Sequence, residues 1–244
     1  MCYSVEQVKA KIESMINRGY LNHSDFNNMP DSWVLKGFYN PSVMVITNEK
    51  PYKARELMWG LIPEQTRNLD YAHSIKTKTL NAKSETLTER PSFKYLVGRK
   101  HCLVPVSGFY EWRDIHKSKY PYYIFMKDRS PFMLAGLWDT WTEPGTMQKH
   151  ETFTIITCEA NDLMKTIHNK KERMPVIIAE KDEEKWLSAK THNTVMELCQ
   201  PFDEEKMDAH TIEKKTIMRK TGFNVPNVNE FVFYPETDQK TLFD

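Results

Sequence analysis

The sequence predicts an α+β fold built around a largely antiparallel sheet. Three observations carry this expectation. Apolar, β-branched segments of strand length outnumber helical ones. Neighbouring segments are joined by short turns rather than by long helical crossovers. No repeat, low-complexity block or long linker divides the 244 residues, a length that suits one large domain or two small ones.

Taken in order, "SVEQVKAKIESMIN" reads as an opening helix, with Ser4 as its cap and Val5, Val8, Ile12 and Ile16 on one face. A polar, irregular stretch follows to about Ser32. "SVMVIT" reads as a strand and "RELMWGLIPE" as a strand running into a turn. "KSETLTERPSFKYLV" suggests a helix. "HCLVPVSGFYEWR" reads as a buried strand, a turn at Ser107 and Gly108, and an exposed rise. "YPYYIFMK", "FMLAGLWDTW" and "TFTIITCEA" read as three strands of a meander. "EANDLMKTIHN" is a short helix, "RMPVIIA" a strand, "EKDEEKWLSA" a helix and "EFVFY" a late strand.

Composition narrows the class of protein. The chain is 40% hydrophobic and 27% charged, which suits a globular protein and argues against global disorder. Its net charge of +1 announces no nucleic-acid binder. Two stretches are nonetheless locally basic: Arg99 to Lys119, and Lys165 to Arg173. Either can be a solvated face or a binding face. Cys2, Cys102, Cys158 and Cys199 are widely separated, with no CxxC pair and no metal-ligand spacing, so no metal and no other cofactor is expected. No secretory or membrane-spanning segment is evident. A reducing, cytoplasmic setting with free thiols is the expectation.

Four segments carry candidate chemistry. Cys2 follows Met1 directly; with Met1 removed it presents an α-amine and a thiol on adjacent carbons. On its own it can equally be a small buried hydrophobe. "LNAKSETL" sets Asn81, Lys83, Ser84 and Glu85 between two leucines, which a helix cap would also explain. "PVSGFYEW" sets Glu111 between Tyr110 and Trp112, where an unpaired buried carboxylate is costly and a raised pKa suits acid/base work. "IHNKKERMPVII" sets His168, a natural proton shuttle or a structural imidazole, ahead of basic residues and a strand.

Together these segments resemble the SRAP family, named for SOS-response-associated peptidases. The resemblance rests on the opening Met-Cys, the "WGLIP" of Trp59 to Pro63, and the Asn-Ala-Lys-x-Glu of Asn81 to Glu85. It continues with the Gly-Phe-Tyr-Glu-Trp of Gly108 to Trp112, and with His168 followed by Arg173-Met174-Pro175. These motifs run in the family's order and cover the chain to about residue 190. Three features differ from the common pattern: Tyr3 and Ser4 in place of Gly-Arg, Lys83 in place of Arg, and four residues rather than one between His168 and Arg173.

The resemblance implies one SRAP domain over residues 1–236 with a curved, barrel-like sheet, flanking helices and a positively charged groove. Residues 237–244 would be a tail. It implies capture of abasic sites in single-stranded DNA. The Cys2 amine would condense with the open-chain aldehyde of the sugar, and the thiol would close a thiazolidine. The α-amine suits this step because its pKa of about 7.7–8.0 leaves a useful neutral fraction near pH 7. By the same resemblance, Asn81 would position the sugar or the amine, and Glu111 would be the general acid/base. His168 would move protons at the sugar oxygen. Lys83 and Arg173 would hold phosphates, with Ser84 beside them. Trp59, Leu61 and Met174 would line the groove against bases, with core packing as the plain alternative for Trp59.

Two other functions fit the same residues: an N-terminal-nucleophile cysteine peptidase, including removal of its own Met1, and a non-catalytic module for single-stranded or modified DNA. The chain ends "TDQKTLFD", where Gln239, Leu242 and Phe243 have the spacing of the bacterial sliding-clamp pentapeptide. Two apolar anchors on a tail suit a partner's pocket, and equally a free end. Nothing in the sequence requires more than a monomer.

Overall fold

The computed structural model describes residues 2–16, 18–19 and 29–237. Its strands form two sheets. In the first, β1 (Ser4–Gln7) lies between β2 (Ser32–Lys36) and β7 (Gly108–Ile115). Beyond β7 lie β8 (Ser118–Met126) and then β13 (Met207–Thr211). Every pairing in this sheet is antiparallel.

The second sheet closes on itself. β3 (Ser42–Thr47) pairs with β4 (Lys50–Trp59) and β6 (His101–Val106). β6 pairs with β9 (Phe132–Thr142), β9 with β10 (Lys149–Glu159), and β10 returns to β4. This ring is the barrel. β5 (Asn81–Lys83) and β11 (Arg173–Pro175) add to β10, and β12 (Ile177–Ile178) adds to β9. β4 and β5 run parallel to β10, and the other pairings are antiparallel. Ring strands are buried on both faces: His101–Val106 is buried throughout, as is most of β9 and β10. Short helices flank the sheets: α1 (Lys9–Ile12), α2 (Leu69–Ile75), α3 (Asp162–Ile167), α4 (Glu183–Ser188), α5 (His192–Leu198) and α6 (Lys214–Ile217). The expected α+β class and barrel-like sheet are therefore present.

Several local expectations are corrected. The opening helix is a strand for its first half. Val5, Glu6 and Gln7 are all buried because β1 sits inside a sheet, and only Lys9–Ile12 turns as an α-helix before a 3-10 turn. The apolar stripe of Val5, Val8 and Ile12 is buried as expected, but tertiary pairing overrides the helical period. The helix expected after Lys83 is a 3-10 turn at Ser84–Thr86 followed by irregular turns. Pro91 supplies no N–H and restricts Arg90, so backbone bonds alternate between three- and four-residue spacing, as in Glu89 to Thr86 and Lys94 to Arg90.

The meander also breaks. β8 belongs to the first sheet, while β9 and β10 form a hairpin in the second. "RMPVIIA" splits at Val176, β11 going to β10 and β12 to β9. "EFVFY" forms no strand; Phe231 makes one bridge to Ile212, beside the point where the chain turns into α6.

Candidate active site at the N-terminal strand

β1 positions the amino end. Ser4 lies opposite Tyr110, so the chain before it runs alongside Glu111 and Trp112 on β7. Cys2 is fully buried, and its Sγ–H points to the Ser4 carbonyl at 3.8 Å. Burial pushes the thiol pKa far above its ordinary value, and the Glu111 carboxylate nearby pushes it further. The same two causes raise Tyr3, with burial the larger.

Glu111 is 3% exposed, on the first strand of the β7–β8 hairpin, opposite Tyr122. His168 caps the C-terminal end of α3, which packs on β7. Its Nδ1 lies 2.8 Å from the Arg173 carbonyl and must donate to it, which leaves the Nε2 lone pair facing Glu111 Oε2 at 3.9 Å. Burial lowers the imidazole pKa; the Glu111 charge opposes this without reversing it. Cys2, Glu111 and His168 are thus gathered at one place from three distant parts of the chain.

β10 organises the rest. Its Ile155 lies opposite Asn81, its Thr157 opposite Lys83 and Pro175, and its Glu159 opposite Arg173. Both amide atoms of Asn81 are buried and hydrogen-bond to no described residue. An unsatisfied buried amide is costly, so Asn81 holds a donor and an acceptor ready for a bound group. Lys83 is exposed.

Arg173 is occupied. Its guanidinium makes a two-point pair with Glu85, at 2.5 and 2.9 Å, and donates to the Thr157 carbonyl at 2.6 Å. This engagement holds Glu85 below the usual carboxylate range against the opposing effect of its partial burial. Arg173 is only 8% exposed and so has little surface for a phosphate. Trp59, Leu61 and Met174, expected to line the groove, and Ser84, expected beside the phosphates, are all buried. The Trp59 indole N–H donates to the Leu80 carbonyl, and its ring packs 6.1 Å from Phe153, beneath Gly37. These residues support the site from within.

The long spacing between His168 and Arg173 is absorbed by one extra turn. Lys171 and Glu172 both donate to the His168 carbonyl, and Glu172 adopts a left-handed φ of 48°. Asn169 in this turn exchanges two hydrogen bonds with the Asp114 backbone, and Lys170 pairs with the Asp114 carboxylate at 2.8 Å.

The solvent-facing aromatics lie elsewhere. Phe38 and Tyr39 are more than half exposed, and the Phe38 ring lies 4.6 Å from Tyr3. With Ser4, Glu111 and Trp112 they border a cavity of about 250 Å³. The sequence signal was "KGFYN", two aromatics behind a lysine and a glycine, which carries no motif. A separate cleft of about 390 Å³ bordered by Arg18, Phe132 and Glu180 contains none of these groups. Among the described residues no set of side chains is arranged to hold a metal ion, and no helix is long and apolar enough to cross a membrane.

A barrel protein that holds an N-terminal cysteine against a carboxylate–imidazole pair is the class this geometry defines. The chain belongs to the SOS response associated peptidase (SRAP) family, whose model matches residues 1–217. It is similar to the abasic site processing protein YoqW of Bacillus subtilis, with 34% identity over 194 residues, covering 75% of this chain and 83% of that one. The abasic site processing protein HMCES of Xenopus tropicalis is 33% identical over 150 residues, 54% of this chain and 44% of that one. A solved structure from Bacteroides thetaiotaomicron superposes with a TM-score of 0.87 at 33% identity, covering 95% of this chain and all of that one.

Proposed function

We propose that the protein captures abasic sites in single-stranded DNA through Cys2, once residue 1 has been removed, and so shields the lesion. The observation that carries this reading is the buried, protonated Cys2 thiol set against Glu111, with His168 3.9 Å from that carboxylate. The relatives named as abasic site processing proteins support it.

The α-amine attacks C1′ of the open-chain aldehyde. Glu111 and His168 relay protons as the carbinolamine loses water to give an imine. The thiol then adds to the imine carbon, its proton passes to the nitrogen, and the thiazolidine closes. One water leaves in all. Ring closure is intramolecular, which offsets the low nucleophilicity of a protonated thiol. A cysteine peptidase needs the opposite, a thiolate ready to attack first. A thiol whose pKa is pushed up by burial and a carboxylate therefore favours imine-first capture. Asn81 would hydrogen-bond the sugar, and Lys83 a neighbouring phosphate.

Intact mass spectrometry with and without an abasic oligonucleotide tests this. We expect loss of residue 1 and an adduct one water lighter than the sum of its parts. The adduct disappears in Cys2→Ala and when Met1 is retained. No adduct with processed wild type overturns the reading. We further infer a monomer in solution, and a sliding-clamp contact through Gln239, Leu242 and Phe243, which lie outside the described residues. Deleting residues 239–244 should abolish clamp binding; unchanged binding sinks that contact.

A further inference from the structure

Beyond α6 the chain reaches back to the amino end. The family model matches residues 1–217, so residues 219–225 lie past the part that carries the likeness. They form no helix or strand, yet they hold β2 and the turn that follows it. The Asn224 amide oxygen accepts the Val34 N–H at 3.0 Å. The Lys36 ammonium donates to the Arg219 carbonyl at 2.8 Å and lies 3.7 Å from the centre of the Phe223 ring. The Tyr39 hydroxyl donates to the Lys220 carbonyl at 3.2 Å, and its ring stacks on Phe223 at 5.9 Å with 9° between the planes.

Phe223 is the centre of this arrangement. Gly222 stands just before it with a left-handed φ of 67°, a conformation glycine adopts freely, and so lets the chain turn there. The Phe223 ring meets both an ammonium and a second aromatic, and it packs, half-buried, against the cluster of Val34, Tyr110 and Ile212. What it holds is the Gly37–Tyr39 turn, and this turn is bound to the residue beside Cys2. The Gly37 N–H donates to the Tyr3 carbonyl at 2.8 Å, continuing the β1–β2 register in which Ser4 lies opposite Lys36. The Phe38 ring lies 4.6 Å from the Tyr3 ring. Lys36, Phe38 and Tyr39 border the cavity beside Glu111, and Phe223 stands behind them.

We propose that Phe223 is a positioning residue for capture: with Lys36 and Tyr39 it latches the Gly37–Tyr39 turn, and through Tyr3 it holds Cys2 in the buried setting where amine and thiol meet the aldehyde. The first residues of a chain are poorly ordered unless something ties them down. Here the tie comes from a segment remote in sequence. Loosening the turn withdraws the Gly37–Tyr3 hydrogen bond and the Phe38 ring from the amino end. Small reagents then reach the thiol, while the aldehyde is presented to Cys2 less accurately. The effect on capture rests on the capture reading above; the hold on Cys2 does not.

The test compares wild type, with residue 1 removed, with Phe223→Ala, Phe223→Leu and Phe223→Tyr. The first assay needs no DNA. Iodoacetamide labels the folded proteins, and the rate at each cysteine is read by peptide mass spectrometry. Cys2, Cys102, Cys158 and Cys199 are all buried, so the last three report any general opening of the structure. Phe223→Ala should label Cys2 about tenfold faster, the effect of losing one ring pair and one cation–π contact, with the other three unchanged. Phe223→Leu keeps apolar bulk but offers no aromatic face and should match Phe223→Ala; Phe223→Tyr should match wild type. An unchanged Cys2 rate, a parallel rise at all four cysteines, rescue by leucine, or tyrosine as fast as alanine overturns the proposal. The second assay is single-turnover adduct formation with an abasic oligonucleotide. In Phe223→Ala the rate at saturating oligonucleotide should fall about tenfold, and the half-saturating concentration should change less than the rate. Equal rates at saturation overturn the positioning role. Should wild type form no adduct at all, the capture reading fails, and cysteine labelling still decides whether Phe223 holds Cys2.

Discussion

Cys2 is the residue whose meaning depends most on its surroundings. Alone it is a thiol near a chain end; beside Glu111 it becomes half of an aminothiol with its sulfur held protonated. Glu111 should therefore matter for proton transfer more than for binding. Glu111→Gln is expected to slow adduct formation about a hundredfold or more while leaving affinity for undamaged DNA unchanged; rapid-quench kinetics check this. The pH profile separates His168 from the amine. The amine must be neutral, so the rate should fall tenfold per pH unit below about 7.7–8.0. The His168 imidazole titrates below its ordinary value because it is buried, so its protonation adds a second proton only at lower pH. A log-rate slope rising from 1 toward 2 below the usual imidazole range is expected for wild type, and a slope held at 1 for His168→Gln. Cys2, Glu111 and His168 were legible in the sequence because each stands in a motif. Which motif aromatics face solvent was not. Trp59 ends β4 facing inward and satisfies its indole N–H on Leu80, whereas Phe38 and Tyr39, outside any motif, are the exposed rings.

At the scale of elements, local pattern gave the long strands and missed the short or shared ones. β9 and β10 were visible as apolar runs. β1 was not, since Val5 and Val8 fit a helical stripe as well as a buried strand, and only pairing with β2 and β7 decides between them. The split of residues 173–178 between two partners leaves no trace in sequence either. The β7–β8 hairpin carries the tightest constraint near the site. Gly108 opens β7, and a Cβ there would lie 2.3 Å from the Tyr123 ring. Gly108→Ala should destabilise the protein by about 1–3 kcal/mol and shift Glu111. Urea denaturation should show a lowered midpoint at unchanged slope, and adduct formation should slow at temperatures where the variant is still folded.

For the whole molecule, one buried carboxylate links the two ends of the chain. Glu6 on β1 is fully buried and accepts from Ser107 and Tyr123 on one oxygen and from Asn229 on the other; Lys11 reaches both at 3.0 Å. Removing it leaves several buried donors unpaired. Glu6→Ala should cost about 3–5 kcal/mol, seen as a lower thermal midpoint. The C-terminal segment should also become more protease-sensitive near Asn229. The α+β class was readable from strand length and turn spacing, and the barrel was implied by the resemblance to the family. The division into two sheets was not, because it depends on β8 and β9 parting company across a short turn.

The burial of Cys2 also sets a deadline in the life of the chain. β2 can pair with β1 early, but β1 gains its second partner only when β7 exists, and β7 begins at residue 108. At about 5–20 residues per second, synthesis leaves the β7 side of this strand uncovered for on the order of 10 s. That interval is when an aminopeptidase can reach residue 1; afterwards the strand is paired on both sides. Protein refolded with Met1 still attached should resist trimming by added methionine aminopeptidase, while the same chain in urea-loosened form should be trimmed. Maturation is then a race between an exopeptidase and the ribosome, and a molecule that loses it folds normally and stays inert.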